Sequence, residues 1–139
     1  MPVVIDTESQ RIFDGLVGRI LPKPEWTHEA HVRACHVALA DRTPAEALAF
    51  LRPTIRAYNE ATGVVNSDDS GYHETITRYY VHAVARLADQ PIDRVLADPS
   101  VARDAPLRHW SREALFSVEA RAGWTEPDRA PLDRLAPSS

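Results

Sequence analysis

The sequence predicts an all-α protein, a compact bundle of four main helices followed by a C-terminal segment of shorter ones. Three observations carry that expectation. Apolar residues recur at three- and four-residue spacing from Ile12 to Leu87, the period of one face of a helix. Residues that start helices stand in front of those runs, and proline or glycine stands behind them. No stretch alternates apolar and polar residues with period two, so nothing predicts a strand.

The first helix is expected from Asp6 or Thr7 as N-cap. Its stripe is Ile12, Phe13, Leu16, Val17, Ile20 and Leu21, and Pro22 and Pro24 end it. Thr27 caps the second helix, which should reach about Ala40. Val32, Cys35 and Leu39 face inward there, and alanines at 30, 34, 38 and 40 permit close packing. Thr43-Pro44-Ala45-Glu46 combines a capping box with proline at the first helical position, so the third helix starts there. Its stripe of Leu48, Leu51, Ile55 and Tyr58 passes through Pro53, which removes one backbone donor and should kink or split it, and Gly63 closes it.

Residues 64–71 form a loop rich in Asn, Ser, Asp and Gly. The fourth helix follows to about Ala88 with His73, Ile76, Thr77, Tyr80, Val84 and Leu87 on one face; Glu74 and Arg78 form an i,i+4 pair on the other. Ile92 to Ala97 suits one or two helical turns, Ser111 caps another helix, and Pro127, Pro131 and Pro137 mark an irregular tail. The expected organisation is one domain over 1–139, with a helical body to about residue 120 and a tail over 121–139.

Composition narrows the function classes. Apolar residues make up 44% of 139 and charged residues 26%, which suits one folded core and not a disordered chain. Sixteen Lys and Arg against twenty Asp and Glu give a net charge of −4, and Lys23 is the single lysine, so a phosphate-tracking nucleic-acid surface is not expected. No apolar run approaches the roughly 20 residues of a bilayer crossing. The N-terminus lacks a basic stretch followed by an apolar one, and the lone Cys35 fits a reducing compartment. A cytoplasmic protein with no membrane and no nucleic-acid partner is therefore the expectation. A glycine-rich phosphate loop, a GxSxG turn and paired-cysteine zinc spacing are all missing from the sequence.

Histidines are the most pointed chemical signal. His28 and His31 share a face of the second helix with Val32, Cys35 and Leu39, and His73 opens the fourth helix on its packed face. Imidazoles from separate helices are the usual ligands of a transition-metal site, and three of them leave a position for water. The sequence thus nominates His28, His31 and His73 as ligands of zinc, iron, copper or manganese. Glu25, Glu29 or Glu74 would serve as fourth ligand or general base, although helical spacing turns Glu29 and Glu74 away from the histidine face. Trp26, Asn66 and Tyr72 are candidate pocket groups; Trp26 equally suits a hydrophobic staple at the helix start. His36, His82 and His109 read as structural.

The strings WTHEAH at 26–31, YNEATG at 58–63, SGYHETITRYY at 70–80 and EARAGWTEPDRAPL at 119–132 resemble a family of small, uncharacterised bacterial all-helical proteins. That resemblance spans most of the chain and implies a soluble bacterial protein built as one helical unit, with no reaction attached. Two functions then stand as expectations. One is a small metal-dependent enzyme that activates water or dioxygen against a small-molecule substrate. The other is a non-enzymatic helical protein that binds a small ligand or a partner chain, with the run from Ser117 to Asp133 docking on the body or on a second subunit of a homodimer.

Overall fold

A computed structural model describes residues 4–132. Among the described residues the fold is all-α, with seven helices, four of them longer than six residues: α1 (Thr7–Val17), α2 (His28–Ala38), α3 (Pro44–Ala61), α4 (Glu74–Ala85), α5 (Ile92–Ala97), α6 (Arg112–Leu115) and α7 (Val118–Ala122). Three short 3₁₀ turns, at Lys23–Glu25, Pro99–Val101 and Ala105–Arg108, join them. Among the described residues there is no strand, only an isolated bridge between Ser67 and Ser70. Residues 133–139, the end of the expected tail, lie outside the described residues.

α2 is the central element. It packs on α1, α3, α4 and α5, and Ala30, Val32, Ala34, Cys35, His36, Val37 and Ala38 are all buried. Small side chains at 30, 34 and 38 let its neighbours approach closely, while Val32 and Leu39 fill the space between them. Arg33 ties α2 to α1: its guanidinium bonds the Asp6 carboxylate at 3.1 Å and the Ser9 hydroxyl at 3.0 Å, where Asp6 already caps α1 through the Ser9 N–H.

α1 ends four residues before Leu21. The chain turns at Gly18, with Arg19 in the left-handed region at φ 60°, and the N–H groups of Ile20 and Leu21 both bond the Gly15 carbonyl. Leu21 folds back onto Gly15, where an added Cβ would lie 3.0 Å from the leucine's own Cβ, so glycine is what this contact requires. Leu21 is consequently buried, but Ile20, expected on the core stripe, is 79% exposed. The hydroxyl of Tyr58 donates to the Leu21 carbonyl at 2.9 Å and fixes the turn against α3.

The capping box at Thr43 forms in full, with Thr43 Oγ1 accepting from the Glu46 N–H and Glu46 Oε1 accepting from the Thr43 N–H. Thr43→Ala is expected to lower stability by about 1 kcal/mol in urea denaturation, because one helix-start donor loses its partner. No effect is expected on any binding, since the box lies at the exposed start of α3; a loss of binding with an unchanged denaturation midpoint would contradict that placement. α3 runs unbroken through Pro53, which does not split it. Next to the missing donor, the Thr54 hydroxyl donates to the Phe50 carbonyl at 2.7 Å.

The C-terminal segment docks on the body as far as it is described. Ser111 caps α6 and Ser117 caps α7, each accepting an N–H three residues on, so what the sequence suggests as one helix is two short ones. Beyond α7 the Thr75 hydroxyl donates to the Gly123 carbonyl and accepts from the Thr125 N–H, and the Trp110 indole donates to the Thr125 carbonyl. Among the described residues no helix is long and apolar enough to cross a membrane.

Candidate functional site

Thr27 caps α2 through the Ala30 N–H and sets the two histidines of its first turn. The Nε2 of His28 lies 2.8 Å from the Val101 carbonyl, and the Nδ1 of His31 lies 3.0 Å from the Thr27 carbonyl. A carbonyl only accepts, so each contacting nitrogen carries the proton. In a neutral ring the other nitrogen then holds the lone pair: Nδ1 on His28 and Nε2 on His31. The Trp26 ring lies against His31 at 3.8 Å between centroids and fixes its tilt. Trp26 also borders both of the cavities described below.

His73 has a different role. It is the N-cap of α4, its Nδ1 accepting from the Ile76 N–H at 3.2 Å while Nε2 donates to the Leu115 carbonyl at 2.6 Å. Both nitrogens are committed to backbone, which leaves no lone pair for a metal. The three expected ligands thus surround one region but bond separate carbonyls at residues 27, 101 and 115. Among the described residues no group of three or more His, Cys, Asp or Glu is placed to hold a metal ion.

The candidate carboxylates are likewise engaged elsewhere. Glu25 pairs with Arg11 at 2.8 Å and Glu29 with Arg33 at 2.9 Å, both on the outside of the bundle. Glu74 is buried, contrary to the outward placement its spacing suggested. It accepts from the Arg52 guanidinium at 2.9 and 2.6 Å and from the Tyr72 hydroxyl at 2.7 Å, not from Arg78. Burial opposes its ionisation, but the bonds from Arg52 and Tyr72 outweigh burial and hold the carboxyl below its usual range. Asn66 is a loop fastener. Its Nδ2 donates to the Arg56 carbonyl, and its Oδ1 accepts from Asn59 and from the Tyr72 N–H. Gly71, at φ +80°, passes so close that an added Cβ would lie 2.5 Å from that Oδ1.

Two cavities meet at His31. The inner one, about 340 Å³, lies between α2, α3 and the start of α4, against Ala34, Cys35, Leu51, Ile55, Tyr72 and Thr77 among others. The outer one, about 470 Å³, opens between α2, α4 and the 103–116 segment, against His28, Arg103, Leu107 and Phe116. Trp26, His31, Ile76 and Tyr80 line both and so form the partition between them.

His31 is half-buried by area because it borders these spaces, yet protein surrounds it closely enough that burial pushes its pKa down to about 4. The ring is neutral at physiological pH. Burial also pushes the Cys35 thiol up to about 12, so it sits in the inner cavity as a small apolar group and not as a thiolate. The Tyr80 hydroxyl is raised by burial and donates to the Ala102 carbonyl. The site is therefore a mainly apolar hollow with the Nε2 lone pair of His31 at its neck and the Nδ1 lone pair of His28 on the outer wall. Of the residues named from sequence, His31 and Trp26 line both cavities. Sequence spacing missed the 103–116 wall, because no pattern in that segment indicates which helix it covers.

Compared with protein-family models, with curated proteins and with solved structures, the chain gives no match.

Proposed function

We propose that the protein binds a small, largely apolar molecule in the inner cavity, with Nε2 of His31 accepting a hydrogen bond from it. One observation carries this reading: the Nδ1–H of His31 is held by the Thr27 carbonyl, so the lone pair lies on the ring edge turned away from the helix backbone, in a ring that lines the cavity. Small-molecule sites are mostly apolar hollows of about 300 to 1,000 Å³ with a few placed polar groups, and this one is of that kind. The Trp26 stack and the Thr27 bond orient the imidazole before any ligand arrives, which limits the ordering cost of binding.

The metal-dependent alternative draws less support. It would require His73 to give up both its cap to Ile76 and its bond to Leu115 before lending a nitrogen.

Isothermal titration with phenol and its methyl ether, anisole, tests the reading. The two are close in size, but only phenol donates. Phenol is expected to bind, anisole to bind about tenfold more weakly, and His31→Phe to erase the difference, since one buried hydrogen bond is worth about 1 kcal/mol or somewhat more. No binding of either probe, or stoichiometric metal in chelator-free protein that is lost in His31→Phe, would overturn it.

A further inference from the structure

Charge is distributed unevenly across the two cavities. No Asp, Glu, Lys or Arg lines the inner one, where the histidines and Cys35 are the titratable groups beside tyrosines. The outer cavity has one formal charge on its walls, the guanidinium of Arg103. Arg11, Arg33, Arg42 and Arg52 pair with carboxylates, whereas the Arg103 side chain forms no ion pair or hydrogen bond among the described residues. Its main chain is nonetheless held, because the Arg103 carbonyl accepts from the Tyr80 hydroxyl at 3.1 Å and Tyr80 belongs to the partition. A fixed backbone thus presents an unpaired cation at the outer cavity of a chain whose net charge is −4.

Along a path inward the chemistry is ordered: a cation at Arg103, a hydrogen-bond acceptor at His31, then apolar walls at Ala34, Leu51 and Ile55. We infer that the two cavities form one bipartite site for an amphipathic hydroxy acid, with its carboxylate at Arg103, its hydroxyl donating to His31 and its apolar chain in the inner cavity. The partition that such a ligand crosses is made of side chains, and rotation of Ile76 opens it while Trp26 stays against His31. An ammonium head is disfavoured by the same cation, and a second anionic group would meet no cation inside. This inference rests on the inner cavity being the binding site.

The test is isothermal titration of the full chain with 3-hydroxyoctanoate, octanoate and the diol in which the carboxylate is replaced by a primary alcohol. The hydroxy acid is expected to bind tightest. Losing the carboxylate costs about tenfold in the wild type and nothing in Arg103→Met, because charge-assisted hydrogen bonds carry that order of free energy. Losing the hydroxyl costs a similar factor in the wild type and nothing in His31→Phe. The carboxylate effect should shrink as salt is raised, since Arg103 is exposed. Arg103→Met removes no packed group, and its melting temperature serves as the folding control. If the diol binds as tightly as the hydroxy acid and Arg103→Met changes neither, the bipartite site is wrong while the inner cavity stands. If none of the three binds and phenol also fails, the cavity reading and this inference fall together.

Discussion

Trp110→Ala is expected to lower stability by about 3 to 5 kcal/mol, the range for removing a buried aromatic side chain. Trp110 is fully buried, its indole meets Tyr79 and Trp124 edge-on at 5.9 and 5.5 Å, and its N–H donates to the Thr125 carbonyl at 2.8 Å. The substitution removes the ring around which the C-terminal segment folds and leaves the Thr125 carbonyl without that donor. Urea denaturation measures the loss, and limited proteolysis should cut residues 111–132 in the variant before it cuts α2 or α3. Val118→Ala, at a position 50% exposed in the same segment, should change stability by less than about 0.5 kcal/mol. A Trp110→Ala loss below about 1 kcal/mol would mean that the segment is not docked as described.

Stability is expected to rise with pH between about 4 and the ordinary histidine range near 6.5, the reverse of what a histidine paired with a carboxylate would give. Burial lowers the pKa of His31 to about 4, and it lowers His36, His73 and His82 as well. The unfolded chain takes up these protons near pH ~6.5 and the folded chain only further down, so across that window the unfolded state binds more protons. Acidification therefore favours unfolding. His36 adds to this because its Nε2 bonds the Gln90 carbonyl and its Nδ1 is buried without a partner, which leaves a second proton no acceptor.

Below that window the lowered carboxyls of Asp6, Glu74 and Asp98 continue the loss as they protonate. Urea midpoints should be level from pH 8 to about 7 and fall from there to pH 4, and His31→Phe should make that fall shallower. A flat profile, or a protein more stable at pH 5 than at pH 7, would contradict the burial of these rings.

Residues 26 to 31 show how far a candidate site is legible in sequence. Thr27 as cap and the three-residue spacing of His28 and His31 follow from helix geometry alone. Which ring nitrogen bears the proton does not, because it is decided by the carbonyls of Thr27 and Val101, the latter 73 residues away from His28. His73 is the sharper case. Its place on the packed face at the start of the fourth helix is what nominates it as a ligand in the sequence, and only the Ile76 and Leu115 bonds reveal a cap. Glu74 was misjudged for a related reason. An i,i+4 wheel describes one helix in isolation, whereas Arg52 reaches Glu74 from α3.

The sequence by itself determined the helical class, the starts of α1, α2 and α3, the stripes of α2 and α3, and the inward placement of Cys35. These follow from interactions three or four residues apart, which a linear pattern encodes directly. The end of α1 was not encoded in this way, since the fold-back of Leu21 depends on space at Gly15 and on the Tyr58 hydroxyl from α3. The two cavities, the charge at Arg103 and the tautomers of the histidines were decided only by the tertiary structure. Each is a relation between α2, α4 and the 103–116 segment, and such relations are set by how helices pack and not by the period within any one of them.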